Sequence, residues 1–231
     1  MKKETKMQLS NRTVEILRNF ATINPNIVIH PGNVIKTLSP AKNLVSVAEI
    51  EETFPQTFGI YDLSEFLSVL GLVDNTQITF SDSHCVVSDG SGLSSVKYFY
   101  SDPEMLSTPK KDIVMPECEV KFLLSNDTLA KVKRAASALG HEEISITPSN
   151  GSIEISVVNG ADKTSNSYAI TVDGDYPEGQ EFNFILNVNN LKLIGESYEV
   201  SVSSRTISNF KSIDSKLEYF VALEKTSTYG A

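Results

Sequence analysis

The chain has 231 residues, of which 40% are hydrophobic, and a formal net charge of −9. This length suits two ordinary domains, because a domain usually spans about 100–150 residues. The net acidity by itself argues against nucleic-acid binding, since phosphate contacts require Lys and Arg. No apolar run is long enough to span a membrane, and the opening MKKETKMQLS lacks the apolar core of a signal peptide, so we expect a cytoplasmic protein.

The sequence offers no recognisable catalytic or metal-binding motif. Cys85 and Cys118 fit a reducing compartment, and the three histidines are too far apart for metal-ligand spacing. Asp82, His84 and Cys85 suggest a metal but are better interpreted as a polar turn before a strand. The acidic stretch at 173–178 is also better interpreted as a turn, because it does not fit the spacing of an EF-hand loop. There is neither a Gly-rich phosphate loop nor a nucleophile elbow. We therefore expect no enzyme, no cofactor and no metal.

The first half opens with a predicted amphipathic helix over 10–24, SNRTVEILRNFATIN. At 100° per residue, Arg18 lies nearly opposite its apolar stripe and Arg12 lies on a flank. The stripe consists of Thr13, Ile16, Leu17 and Phe20. Two short strands joined at Pro31-Gly32 should follow.

The remainder of the first half alternates strands with one further helix. We predict strands at 44–50, 58–62, 76–80, 85–89 and 95–100. The second helix starts at a capping Asp62, shows Glu65 to solvent and buries Leu63, Phe66, Leu67 and Leu70. Residues 101–116 contain three prolines and little periodicity. We therefore place a connector at 106–116, between domains 1–105 and 117–231.

The second half repeats this order. Residues 125–139, SNDTLAKVKRAASAL, predict a helix with an apolar stripe of Leu129, Val132, Ala136 and Leu139. Its basic residues lie opposite that stripe and on its flanks: Lys131, Lys133 and Arg134. Ser125 or Asn126 can cap its first turn. Its start, Ser125-Asn126 with Thr128, matches Ser10-Asn11 with Thr13 at a constant offset, which indicates a duplicated domain.

Further strands and one short helix complete the second half. The strands are predicted at 117–124, 141–147, 152–158, 167–173, 181–187, 198–203, 208–214 and 217–224, and the helix at 187–194. Each half thus predicts an α+β domain in which two helices pack on antiparallel sheets.

Several separated motifs in this order resemble the DNA polymerase sliding clamps, most closely those of T-even phages. The residues that carry the resemblance are NFATIN at 19–24, IYDL at 60–63 with Phe66-Leu67, FNFI at 182–185 with Asn187, Asn190 and Lys192, and VALE at 221–224. The resemblance implies the DNA-clamp fold, with two antiparallel sheets and two helices per domain. It also implies a closed homotrimeric ring around duplex DNA that tethers the DNA polymerase and is loaded by a separate clamp-loader ATPase. Clamps of this type can also serve transcription through transcription factors, a role that the sequence leaves open.

The charge distribution agrees with a hole that is lined by helices and contains DNA, because three of the four predicted lining helices are net basic in an acidic chain. The expected DNA-facing residues are Arg12, Arg18, Lys131, Lys133, Arg134 and Lys192. The helix after Asp62 departs from this pattern, since it carries Glu65 and no basic residue. The alternative is a non-enzymatic, trimeric, β-rich phage structural protein with no DNA role, which gives no reason for these cations to converge.

Two contact surfaces complete the expectations. Strands 95–100 and 167–173 should pair head to tail between subunits through Val96, Tyr98, Tyr100, Tyr168, Ile170 and Val172. The apolar triplet Ile113-Val114-Met115, with Leu38 and Leu44 as the other wall, is the candidate pocket for partner peptides. Equally, the triplet could only fasten the connector onto a sheet.

Overall fold

A computed structural model of the protein describes residues 6–91, 93–162 and 164–230. The chain divides into two compact units, Met1–Lys111 and Asp112–Ala231, and the division falls inside the predicted connector. We call them the N-terminal unit and the C-terminal unit. No helix in the described part of either unit is both long and apolar enough to cross a bilayer.

The N-terminal unit contains two α-helices and eight described strands. The helices are α1 (Asn11–Ile23) and α2 (Leu63–Leu70), and Pro103–Met105 form a 3-10 turn. The strands are β1 (Lys6–Met7), β2 (Ile27–Ile29), β3 (Gly32–Leu38), β4 (Leu44–Phe54), β5 (Phe58–Ile60), β6 (Gln77–Phe80), β7 (His84–Ser88) and β8 (Ser95–Phe99). They pair antiparallel as β1-β6-β7-β8, β2-β5 and β3-β4.

The C-terminal unit contains one α-helix, α3 (Asn126–Leu139), among its described residues, and a 3-10 turn at Val188–Asn190. Its strands are β9 (Val120–Leu124), β10 (Glu143–Ser149), β11 (Ser152–Val158), β12 (Tyr168–Val172), β13 (Gly174–Asp175), β14 (Phe182–Asn187), β15 (Tyr198–Ser203), β16 (Ile207–Ser212), β17 (Leu217–Ala222) and β18 (Thr228–Tyr229). They form antiparallel arrays in the orders β13-β9-β15-β16-β17 and β12-β11-β10-β14-β18.

The two units share one strand topology. The array β1-β6-β7-β8 has the connectivity of β9-β15-β16-β17, and β2-β5 and β3-β4 correspond to β10-β14 and β11-β12. In both units the first strand leads directly into a capped amphipathic helix. The sequence repeat therefore corresponds to a repeated strand order, as expected for a duplicated domain.

The two long helices begin as the repeated sequence predicts. The Ser10 side chain accepts from the Thr13 N–H at 3.2 Å, and the Ser125 side chain accepts from the Thr128 N–H at 3.1 Å. Each cap satisfies an N–H that the first helical turn leaves without a partner. Helix α3 ends at Gly140, whose φ of 68° is the left-handed conformation that glycine adopts without strain.

The predicted helix over 187–194 is wrong, and so is the expectation of two helices in the second domain. Only Val188–Asn190 form a 3-10 turn, after which the chain follows the core. The buried Tyr198 hydroxyl donates to the Ile194 carbonyl at 2.6 Å, and the Ile194 N–H donates to the Tyr219 hydroxyl at 3.2 Å. These bonds occupy backbone groups that a helix would use, so tertiary contacts override a weakly helical, Asn-rich segment.

Turn chemistry fixes the hairpin β10-β11. Asn150 and Gly151 have φ values of 48° and 82°, and Ser149 lies opposite Ser152. Positive φ at both central residues defines the two-residue turn that best matches strand twist, for which Asn-Gly is the favoured sequence. Strands β2 and β3 also form as predicted around Pro31-Gly32, but they pair with β5 and β4 respectively rather than with each other.

Candidate nucleic-acid interface and sheet edges

Helix α1 presents Arg18 to solvent on the side away from its buried stripe of Thr13, Ile16, Leu17, Phe20 and Ile23. Arg12 is only half-exposed, and its Nη1 lies 2.7 Å from Glu15 Oε2. Because Glu15 offsets the charge of Arg12, Arg18 is the stronger candidate for contact with an anion on this helix.

Arg18 also lines a cleft of about 300 Å³ between α1, α2 and β6. The polar rim of this cleft adds Gln8, Asn11 and Asn75, and its floor includes Leu67, Leu70 and Ile78. None of these three amides was predicted from the sequence to have a role in a site, although Asn11 belongs to the repeated helix start.

Helix α3 carries two exposed cations, Lys131 and Arg134. Lys131 Nζ lies 2.6 Å from Asp127 Oδ2 one turn earlier, and this hydrogen bond and the carboxylate charge raise the pKa of Lys131. Both side chains of the pair are largely exposed, so the pair contributes little to stability. Lys131 can therefore leave Asp127 for another anionic partner.

Lys133 differs from its neighbours because it is directed at the protein. Its Nζ donates to the Leu193 carbonyl at 3.3 Å, and burial lowers the pKa of its ammonium group. This contact fastens α3 to the segment after the 3-10 turn, so the exposed Lys192 in that segment lies beside α3. The structure thus brings Lys131, Arg134 and Lys192 to one region of the C-terminal unit, while Lys133 has a bracing role there.

Strands β8 and β12 each lie at the edge of an array within the described part of their unit. Val96, Tyr98 and Tyr100 at the first edge are half-buried, as are Tyr168, Ile170 and Val172 at the second. The partners opposite them on the next strand inward are buried: Cys85, Val87, Ile153, Ile155 and Val157. Both hydrophobic cores therefore reach an open strand edge, where unpaired backbone groups are available to another chain.

The edge tyrosine Tyr98 contacts helix α2. Its ring packs edge-on against Phe66 at a centroid distance of 5.1 Å, and its hydroxyl donates to the Asp62 carbonyl at 3.4 Å. Burial raises the pKa of Tyr98 to about 12, and the nearby Glu65 and Asp62 carboxylates act in the same direction. The acidic first turn of α2 thus lies beside the open edge of β8.

Tyr100, the residue directly after β8, stacks on Phe58 at 4.8 Å, and burial raises the pKa of its hydroxyl. Phe99 points to the opposite face and is 63% exposed. Lys97 Nζ lies over the Phe99 ring at 4.9 Å from its centroid, and the His84 ring packs on it at 5.6 Å, so neighbours on the same face partly cover this exposed aromatic side chain.

The residues predicted for a partner pocket have unequal exposure. Val114 is 86% exposed, whereas Ile113 and Met115 are half-buried. Leu38 is half-buried and Leu44 is buried in the core of its unit, so Leu44 supplies packing rather than free surface. Among these five residues, Val114 is the side chain that a partner can contact most fully.

A further cavity of about 650 Å³ lies in the C-terminal unit and is lined by polar groups such as Glu143, Ser145, Asp162 and Asn183. Within the described ranges, no three His, Cys, Asp or Glu side chains are grouped as metal ligands. Cys85 is buried, which raises the pKa of its thiol to about 11 and leaves it a poor nucleophile.

Two family models match this chain. The model described as DNA polymerase processivity factor matches residues 8–97, and the one described as gp45 sliding clamp, C terminal, matches residues 121–225. The chain is 33% identical over 223 residues to the sliding clamp of Vibrio phage KVP40, covering 94% of this chain and 99% of that relative. It is 31% identical over 232 residues to the sliding clamp of Enterobacteria phage T4, covering 96% and 99%.

Solved structures show the same fold at low identity. The Proliferating Cellular Nuclear Antigen (PCNA) of Entamoeba histolytica has a TM-score of 0.70 at 13% identity, covering 96% of this chain and 98% of that one. A. fulgidus PCNA bound to the C-terminal region of FEN-1 has a TM-score of 0.71 at 15% identity, covering 97% and 99%. The fold is therefore the PCNA-like clamp fold, an α+β architecture with few helices and many antiparallel strands. Fold and sequence relatives agree, and the chain belongs to the sliding clamps of the gp45 type, which are DNA polymerase processivity factors.

Proposed function

We propose that three copies of this chain form a closed ring that encircles duplex DNA without sequence specificity and tethers the replicative DNA polymerase. The observation that carries the proposal is the pair of open edges, β8 in one unit and β12 in the other. Joining β8 of one copy to β12 of the next would bury the half-buried residues of both edges. Because the two edges differ, the contact is heterologous and closes into a ring by rotation.

The lining of the proposed ring is weakly basic. Arg18 on α1, Lys131 and Arg134 on α3, and Lys192 beside α3 supply exposed cations, with Arg12 partly neutralised by Glu15. Each fixed phosphate contact would add salt dependence and friction to sliding. A ring holds DNA by topology, so a few cations that prevent repulsion of the duplex are enough, and contacts to phosphates alone require no sequence reading.

The partners and the domain limits are part of the same proposal. We place domains at 1–105 and 117–231 with a connector at 106–116, in which the exposed Val114 contacts partner peptides. The polymerase, a clamp-loader ATPase and the transcription machinery are the proposed users of this surface, in the cytoplasm of a phage-infected host. The A. fulgidus neighbour, bound to a C-terminal region of another protein, supports a peptide mode of binding.

Native mass measurement at micromolar concentration tests the ring. We expect about three times the 25.3 kDa of one chain, together with stimulation of processive synthesis by the cognate polymerase on primed DNA. A monomer with no such stimulation at any concentration would contradict the proposal. The phage structural-protein alternative predicts a trimer that leaves synthesis unchanged, and the names of the relatives favour the clamp.

A further inference from the structure

We propose that opposite charges clasp the joint between copies, with Asp62 and Glu65 of one copy facing Lys131 and Arg134 of the next. This inference rests on the proposed ring and names an interaction that specifies its joint. The occupant of each charged surface is a second copy of this chain. We call the two surfaces the acidic clasp, Asp62 and Glu65, and the basic clasp, Lys131 and Arg134.

The acidic clasp is held beside the β8 edge by direct contacts. Phe66 packs on Tyr98, and the Tyr98 hydroxyl donates to the Asp62 carbonyl, so the start of α2 lies next to the edge strand. Asp62 is fixed as the helix cap through a 2.9 Å hydrogen bond from the Glu65 N–H. Both carboxylate residues are exposed, and α2 carries no basic residue that would neutralise them.

The basic clasp stands beside the other edge. Helix α3 packs against β11 and β12. Its exposed cations Lys131 and Arg134 are three residues apart and therefore neighbours on one face of the helix. Lys133 anchors the same helix through its bond to Leu193, so the orientation of that face is fixed. The surface pair of Lys131 with Asp127 does not prevent an exchange of partner, because it is largely exposed.

Strand pairing would bring these two surfaces together. Paired strands lie about 4.8 Å apart, and helices that pack on neighbouring strands come within about 10 Å of each other. Long Lys, Arg and Glu side chains span such a gap. Joining β8 to β8 or β12 to β12 would instead oppose like charges, which disfavours those contacts. The clasp therefore selects the head-to-tail joint over two-fold dimers made from the same open edges.

Charge exchange tests the clasp directly. We expect Glu65→Lys alone and Lys131→Glu alone to raise the dissociation constant of the trimer, each by about three- to tenfold at low salt. The chain that carries both changes should recover most of the wild-type assembly, because every joint again opposes unlike charges. Glu199→Lys makes the same change of charge as Glu65→Lys on an exposed position of an inner strand, β15, and should leave assembly unaltered.

The outcomes separate the clasp from the ring. Concentration-dependent native mass measured at two salt concentrations should show looser wild-type assembly at high salt. If the wild type is a trimer and each single variant assembles as tightly as the wild type, the clasp is wrong and the ring proposal still holds. Single changes that loosen the trimer without recovery in the double variant also overturn it, since they indicate damage rather than pairing. A monomeric wild type overturns the ring itself.

Discussion

The Thr13 hydroxyl donates a 2.5 Å hydrogen bond to Glu52 Oε2, which ties the first turn of α1 to strand β4. The same carboxylate accepts the Ser10 N–H through Oε1. Thr13 is fully buried in the helix stripe, so one carboxylate receives both a buried hydroxyl and the amide of the helix cap. The start of the helix that presents Arg18 is thereby fixed by a residue 39 positions later in the chain.

This contact predicts acid sensitivity of the N-terminal unit. Burial alone would raise the pKa of Glu52, but the hydrogen bonds from Thr13 and Ser10 outweigh it and lower the pKa overall. A carboxylate whose folded pKa is depressed contributes stability that is fully present above its unfolded pKa. That stability is lost as the pH falls through the folded pKa. The ionised Glu52 should therefore stabilise the protein at neutral pH and not in acid.

Replacing Glu52 by Gln isolates this contribution. We expect Glu52→Gln to lower the free energy of unfolding by about 1 kcal/mol at pH 7, because charged hydrogen bonds become neutral at a partly exposed site. The difference from wild type should shrink towards pH 3. Urea unfolding at fixed protein concentration measures it, with the exposed neighbour substitution Glu51→Gln as control. Equal losses at both pH values would show that the charge of Glu52 is not responsible.

A second prediction concerns the lining. Arg18→Glu combined with Lys192→Glu, two exposed lining residues outside the clasp, should shorten the products of clamp-dependent synthesis while leaving the trimer mass unchanged. Each lost phosphate contact removes about 0.9 from the slope of log affinity against log salt. The matched control is Lys121→Glu with Lys211→Glu, two exposed lysines on inner strands of the C-terminal array. Products of wild-type length from the first variant at every salt concentration would contradict the proposed DNA-facing role.

A third prediction concerns the sheet edges. Ile170→Asp places a carboxylate on the core-facing side of β12, where ring closure would bury it without a partner at a cost of several kcal/mol. We expect a folded monomer by analytical ultracentrifugation, with far-UV circular dichroism like that of wild type. Thr171→Asp serves as control, because its exposed side chain points to the other face of the same strand. A trimer of unchanged stability with Ile170→Asp would mean that β12 is not at the joint.

The sequence predicted those elements whose signals are local. Ser10 and Ser125 cap helices that begin as expected, because a capping hydroxyl and an apolar stripe act within a single helix. The failures involve partners distant in sequence. Tyr198 and Tyr219 hold Ile194 in a non-helical segment, and burial against Leu193 turns Lys133 away from solvent. No window of neighbouring residues contains that information.

For the candidate site, too, local signals were predictable from the sequence and contacts between distant residues were not. Arg18 and Arg134 were identified from helical periodicity alone, and both are exposed. Strands β8 and β12 lie at array edges within the described part of their units, whereas their pairing between copies stays a prediction. The contact of Tyr98 with the α2 helix start, which links the acidic residues to the edge, required the three-dimensional arrangement.

The last prediction concerns the peptide-binding surface. Val114 is 86% exposed between the half-buried Ile113 and Met115, so the triplet is partly fastened to the protein and partly open. An anchor side chain in a peptide pocket is worth about 2 kcal/mol, which corresponds to about thirtyfold in Kd. Val114→Asp should therefore weaken binding of a polymerase tail peptide by about that factor in a calorimetric titration. Thermal stability should stay near that of wild type, because an exposed valine contributes little packing.

Ser107→Asp introduces the same carboxylate at another exposed position of the 101–116 segment and should leave Kd unaltered. If Val114→Asp instead lowered Tm and left the Kd of the folded trimer unchanged, the triplet would be a fastening for the connector. The partner surface would then lie elsewhere on the ring.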